Sequence, residues 1–211
     1  MPTEREMAKT FQVTRSIVRE ALKRIETLRL IKIRQGSGAL VQDYKITGGI
    51  ELVDLLLFKS DGRVDKTFLQ GILEFHVFTV VYTIKLATQR MTKNELQELR
   101  RLVTERTDHI NNPEHRNRIS LQIAKLVVKT CRNMYIQLLF NSLIRYNVTF
   151  EHIFGLPLPD NANVQKYFEQ ILDAMERKDH ELAGMIAFRA HEDNNAYMMK
   201  TMEIALLKRN D

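Results

Sequence analysis

The chain has 211 residues, 44% of them apolar and 27% charged, a formal charge of +6, and a single cysteine, Cys131. That length and apolar content can bury a substantial core and exclude disorder as the main state, while one cysteine excludes an intrachain disulfide framework and a Cys-rich zinc site. No run of eighteen or more apolar residues occurs, and Met1 to Lys9 is charged where a secretory leader needs an apolar run, so a cytoplasmic protein with no membrane partner is expected.

The charge is concentrated at one end. Residues 1–42 hold nine basic side chains (Arg5, Lys9, Arg15, Arg19, Lys23, Arg24, Arg29, Lys32, Arg34) against four acidic ones (Glu4, Glu6, Glu20, Glu26). The rest of the chain is close to neutral. A short polyanion-binding module joined to a larger module with another task fits this division, and an ordinary basic surface is the alternative that charge alone leaves open.

Taken in chain order, the first elements are two helices, Thr3 to Phe11 and Thr14 to Arg29, separated by Gln12 and Val13. Thr3 with Glu6 makes a capping box, and Thr14 caps the second helix. Residues 31–41 follow as a small hairpin in which Ile31, Ile33, Ala39, Leu40 and Val41 surround Gln35-Gly36-Ser37-Gly38. From Gly71 to Gly155 there is no glycine and one proline, Pro113, which predicts a series of helices. One starts at a Thr92/Glu95 capping box and carries Leu96, Leu99, Leu102 and Val103. Further helical periodicity runs through Ile119 to Ile144 and Val164 to Arg177, with a loop at His152 to Asn163 between them and a last helix from Asp179 to Leu207. The fold class is mainly α: a winged helix-turn-helix with a small β-hairpin, then an all-helical bundle. Residues 1–43 form the first domain and 44–211 the second.

The second helix is the candidate reader of duplex DNA. Thr14, Arg15, Ser16 and Arg19 occupy its start, and Ile17, Val18, Ala21, Leu22 and Ile25 form an apolar stripe expected to face the core. Arginine can bond two acceptors on guanine or bridge phosphate oxygens, and short hydroxyls reach phosphates without bulk. Gly36 and Gly38 let the hairpin tip approach a narrow groove, with Arg34 and Gln35 alongside. Taken singly, Arg5, Arg15 and Arg19 read equally well as solvated helix charges paired with nearby glutamates.

The segments Pro2-Thr3-Glu4-Arg5-Glu6-Met7-Ala8, Val13 to Leu22 and Ile33 to Val41 closely resemble the winged-helix domain of the GntR family of bacterial transcription regulators. The resemblance implies that Arg5, Thr14, Arg15, Ser16, Arg19, Gln35 and Gly36 contact operator DNA, in the manner of a bacterial repressor. Two departures are visible: Gln12 stands where a turn glycine is usual, and Arg29 replaces a glycine that usually ends the recognition helix. Family members also carry about one further helix and strand before this segment. Either those residues lie outside this sequence or the head is truncated, and a head lacking that helix leaves several apolar side chains without cover, at roughly 1.5–3 kcal/mol each.

Residues 50–211 resemble the all-helical effector domain of the FadR subfamily, through Thr47 to Leu56, Leu86 to Thr92, Cys131 to Tyr135 and Ala190-His191-Glu192. This implies a homodimer that holds a small effector inside each bundle and changes the geometry of its DNA heads on binding it. Many relatives hold a divalent metal there through an aspartate and three histidines. Those positions fall on Ser120, Ala124, Phe168 or Glu169, and His191, so no metal and no cofactor is expected, and His191 reads as a buried or interface histidine. The usual pocket arginine and glutamate fall on His76 and Val80. A pocket of His76, Val80, Ser120, Ala124, Phe168 and His191 is more apolar than its relatives' and suits an apolar effector, an acyl-coenzyme A or another apolar carboxylate derivative. A cavity filled by its own side chains is the competing outcome.

No catalytic constellation is apparent. Cys131 lies in an apolar helix, His109 and His115 sit in a polar loop, and there is no phosphate-binding glycine loop, so the chain is expected not to be an enzyme. The alternative to an effector-responsive regulator is a helical ligand-binding or protein-interaction module with a truncated head that no longer binds DNA.

Overall fold

The computed structural model describes residues 1–34, 38–142 and 163–207, and it divides into two compact units, Met1–Leu69 and Gln70–Asp211. In the first, α1 (Glu4–Thr10) and α2 (Arg15–Thr27) precede an antiparallel hairpin of β1 (Ile31–Arg34) and β2 (Gly38–Val41), followed by α3 (Tyr44–Thr47), a 3-10 turn at Ile50–Leu52 and α4 (Val53–Leu56). The expected caps are present. Thr3 and Glu6 bond reciprocally, and the Thr14 hydroxyl accepts from the Ile17 amide. In the hairpin Ile31 pairs with Val41 and Ile33 with Ala39.

A small core of Val18, Leu22, Ile31 and Ala39, flanked by Met7, Ala8 and Ile25, holds these elements together. The predicted apolar stripe is thus narrower than expected. Val18 and Leu22 are buried, whereas Ile17 and Ala21 are exposed, because a helix packed on one neighbour and a two-stranded wing buries about two residues per two turns rather than a full face. Both non-glycine departures sit in the left-handed region, Gln12 at φ 53° and Arg29 at φ 59°. The turns therefore keep the geometry a glycine would take freely, at a cost of roughly 1–2 kcal/mol each. The Arg29 carbonyl accepts from the Thr47 hydroxyl at 2.9 Å.

The second unit is all-helical. It contains most of α5 (Lys66–Arg90), then α6 (Lys93–Asp108), α7 (Pro113–Thr130), α8 (described over residues 134–142), α9 (Val164–Glu176) and α10 (His180–Leu207). The helical periodicity read as continuous from Ile119 to Ile144 is broken after Thr130. Arg132 takes φ 50°, and its guanidinium donates to the Arg90 carbonyl at 2.7 Å and to Glu95, while Arg90 donates to the Cys131 carbonyl at 2.6 Å. Arg132 also donates to the Thr130 carbonyl at 2.8 Å, so two arginines satisfy carbonyls at the end of α7, and the Asn133 side chain accepts from the Tyr135 and Ile136 amides at the start of α8. The predicted loop at His152–Asn163 lies outside the described residues except for Asn163. The core runs through Ala87, Leu99, Leu102, Ile119, Ile123, Cys131, Leu172, Met175, Ala183 and Ala187; α6 packs on α7 and α9, and α9 on α10.

Candidate functional site

Within the first unit the predicted DNA-contacting residues cluster around the start of α2. Thr14 ends the turn after α1, and its hydroxyl lies 2.8 Å from that of Ser16, so two short hydroxyls flank the amides of the first helical turn. Such an end attracts phosphate oxygens through its free N–H groups. Arg15 lies on that same turn. Arg19, one turn further on, is committed elsewhere: its Nη2 donates to Glu4 Oε2 at 2.9 Å and its Nε to Oε1 at 3.3 Å. The Arg19 hydrogen bonds hold the Glu4 carboxyl below its ordinary range, with the Arg15 charge adding to the effect. Arg5 is exposed on α1. Gln35 and Gly36 lie outside the described residues.

Sequence reasoning did not single out Glu4. It stands fifteen residues from Arg19, at no helical spacing, and becomes its partner only because α1 packs on α2. The consequence is chemical. Arg19 cannot fork onto another acceptor without leaving Glu4, so the acid both orients the guanidinium and competes for it with any other anion.

In the second unit the predicted effector residues fall into two groups. His76 on α5 and His191 on α10 meet edge to face with ring centroids 5.2 Å apart. Burial, and secondarily the charge His76 would carry, pushes the His191 pKa down to about 3, and burial lowers that of His76 as well. Both rings are therefore neutral at pH 7. Ser120 and Phe168 meet instead at a residue that sequence reasoning passed over, Arg106 of α6, which is almost fully buried. Its Nε donates to Ser120 Oγ at 2.9 Å, its Nη1 donates to Gln165 Oε1, and its guanidinium carbon lies 4.6 Å from the Phe168 ring centroid. Val80 and Phe168 pack against the core, and Ala124 is half-buried.

This corrects the expectation of an apolar interior around Ser120 and Phe168. A fixed cation lies there. The same observation bears on a metal. A divalent ion at Ser120 would sit against the guanidinium, and His191 faces another histidine, so the residues present do not fit the ion that relatives hold. Among the described residues no group of three or more His, Cys, Asp or Glu comes together to hold a metal. Of the other reactive candidates, Cys131 is buried with its Sγ 3.0 Å from the Val128 carbonyl, and His109 and His115 stack on each other at 3.9 Å.

Two family models match the chain. That for bacterial regulatory proteins of the gntR family covers residues 1–41, and that for the FCD domain covers residues 81–192, more than half of the chain. The chain belongs to the GntR family, with an FCD domain. This GntR protein is 31% identical over 142 residues to the HTH-type transcriptional regulator Mce2R of Mycobacterium tuberculosis, a match that takes in 67% of the chain and spans 58% of the relative's length. It is 22% identical over 193 residues to the galactonate operon transcriptional repressor of Escherichia coli, covering 89% of the chain and 82% of that protein. Among solved structures, Streptococcus agalactiae GntR superposes with a TM-score of 0.55 at 20% identity, covering 93% of the chain and 88% of that structure. E. coli McbR/YncC also gives a TM-score of 0.55, at 14% identity over 95% of the chain and 87% of its own. These likenesses establish the mainly helical fold with a winged head. Its family consists of transcription regulators rather than enzymes.

Proposed function

We propose that this GntR-family chain is a transcription regulator of the bacterial cytoplasm that binds double-stranded operator DNA as a homodimer, and that a small effector in the helical module modulates that binding. The observation that carries the reading is the start of α2, where Arg15, the Thr14 and Ser16 hydroxyls and the latched Arg19 stand together on an exposed helix end. Arg5 and the wing residues Gln35 and Gly36 are assigned to the same DNA interface. The effector is assigned as a carboxylate with an apolar body. A buried guanidinium stacked on Phe168 and flanked by Ser120 suits an anionic head beside an apolar chain, and Val80, Ala124, His76 and His191 supply further surface for that chain.

The test starts from duplexes selected out of a randomised 30-base-pair pool. Fluorescence anisotropy should then show affinity falling steeply and linearly in log-log form as salt rises. Adding sodium octanoate or palmitoyl-coenzyme A should shift the operator affinity of the wild-type chain and raise its melting temperature. A pool from which no duplex is enriched overturns the operator reading, and a melting temperature unmoved by either probe overturns the effector class.

A further inference from the structure

Among the described residues, three helices begin on a threonine cap, and two of them are built alike. In α1 the cap Thr3 is answered by Glu6 three residues on, and in α6 Thr92 is answered by Glu95; each carboxylate accepts from the amide of its own cap. Such an acid satisfies an amide that the helix leaves over and lies favourably at the positive end of its dipole. Helix α2 departs from this pattern. Its cap Thr14 accepts from the Ile17 amide, yet the residue three positions on is that same Ile17, and the first turn holds no acid at all.

Packing inside the head does not account for the exchange. Ile17 is 55% exposed and lies outside the core of Val18, Leu22, Ile31 and Ala39. Isoleucine is also a poorer helix former than glutamate, because its branched Cβ crowds the preceding turn. A side chain that neither caps nor packs therefore stands on the turn that carries Arg15 and Ser16, with Arg19 two residues beyond it.

We infer that Ile17 is a specificity-determining residue of the DNA interface, reading the 5-methyl group of thymine in the major groove. The inference rests on the operator-binding reading and adds to it a base and an atom. Three features favour this contact over a protein partner. The first is the neighbourhood. A protein surface apolar enough to cover Ile17 would desolvate Arg15 beside it, whereas duplex DNA offers phosphate and base acceptors to the guanidinium, and the thymine methyl is the apolar group on its major-groove base edges. The second is charge. A carboxylate at position 17 would face incoming phosphates, and an isoleucine repels nothing in a segment, residues 1–42, with nine basic side chains against four acidic ones. The third is rigidity. A β-branched side chain in a helix keeps essentially one rotamer, so little freedom is lost when a methyl group comes to rest on it.

The test uses the full chain and the duplex enriched from the randomised pool. Each thymine in turn is replaced by deoxyuridine, which keeps the base pair and removes only the methyl group. Fluorescence anisotropy should show at least one position where the replacement weakens wild-type binding about three- to sixfold, as burial of one methyl group requires. For Ile17→Ala the same replacement should change affinity by less than about twofold, with the far-ultraviolet circular dichroism spectrum unchanged. Where the alanine variant fails to fold, Ile17→Gln, which completes the capping box, gives the same readout. An enriched duplex that tolerates uracil at every thymine, or one whose sensitive position stays equally sensitive in the variant, overturns the inference and leaves the operator reading standing. A pool from which no duplex is enriched overturns both.

Discussion

Replacing Arg106 by methionine tests how the interior of the helical module is held. The substitution keeps most of the apolar stem and removes the guanidinium. Two hydrogen bonds from a charged donor, to Ser120 and Gln165, are lost at about 1.5–3 kcal/mol each, and the stacking on Phe168 at about 1–2 kcal/mol. Two effects oppose that loss. A buried charge need no longer be desolvated, a gain of several kcal/mol, and neither partner is fully stranded. Ser120 still donates to the Arg116 carbonyl at 2.9 Å, and the Gln165 amide nitrogen still donates to the Thr107 hydroxyl at 2.7 Å. The balance is a destabilisation of about 2–4 kcal/mol, read as a fall in the urea midpoint at unchanged slope. A double-mutant cycle of Arg106→Met with Phe168→Leu should show a coupling of about 0.5–2 kcal/mol. The same variant should lose the octanoate-induced rise in melting temperature. Stability within about 0.5 kcal/mol of wild type, together with zero coupling, would refute the account of Arg106 as the fixed cation of this interior.

Arg15→Ala and Arg19→Ala should each weaken binding to selected duplexes about ten- to a hundredfold and relax sequence preference, with the sedimentation behaviour unchanged; unaltered anisotropy titrations for both would show that α2 is not the reading helix. Arg29→Gly should stabilise the chain by up to about 1 kcal/mol, since relief of the left-handed strain at φ 59° exceeds the extra chain entropy of glycine, and a lowered melting temperature would contradict this. The depressed pKa of His191 fixes a sign for pH dependence. The unfolded chain takes up a proton near pH 6.5 that the folded chain refuses until about pH 3, so stability is full above pH 6.5 and falls by up to a few kcal/mol as the pH drops through that window. His191→Gln should flatten that fall relative to wild type in urea titrations between pH 7 and pH 4, and parallel curves would remove His191 as its source.

What the sequence disclosed and what it withheld follow from the range of the interactions involved. Thr3 with Glu6, Thr14 with Ile17 and Thr92 with Glu95 are contacts within one helical turn, and all three were legible as caps because their partners stand at fixed short spacing. The hairpin was legible for the same reason. The break after Thr130 was not. Apolar periodicity continues across it, and the arginines that stabilise it act over forty residues, Arg90 on Cys131 and Arg132 on Arg90. Glu4 with Arg19 and Arg106 with Ser120, Gln165 and Phe168 were hidden likewise, since each pairing exists only once helices from separate parts of the chain lie side by side. Arg106 carried a further disguise. Placed between Val103 and Thr107 on a charged helix, it looks like one more solvated cation, and its burial is decided by the partners α7 and α9 bring to it.

The two latched arginines differ in what their latches permit. Arg19 and Glu4 are exposed, so water screens the pair and another anion can replace the carboxylate at little cost; on the proposed operator-binding reading, the latch should serve as a guide that a DNA phosphate displaces. Arg106 is buried, so its charge cannot be exchanged with solvent, and anything that displaces Ser120 or Gln165 from it must supply acceptors of its own. An anionic carboxylate can do so, whereas a neutral apolar molecule would leave the guanidinium unsatisfied. That asymmetry is why the charged head of a ligand, more than its apolar body, should decide what the helical module accepts, and why octanoate should act where octanol does not.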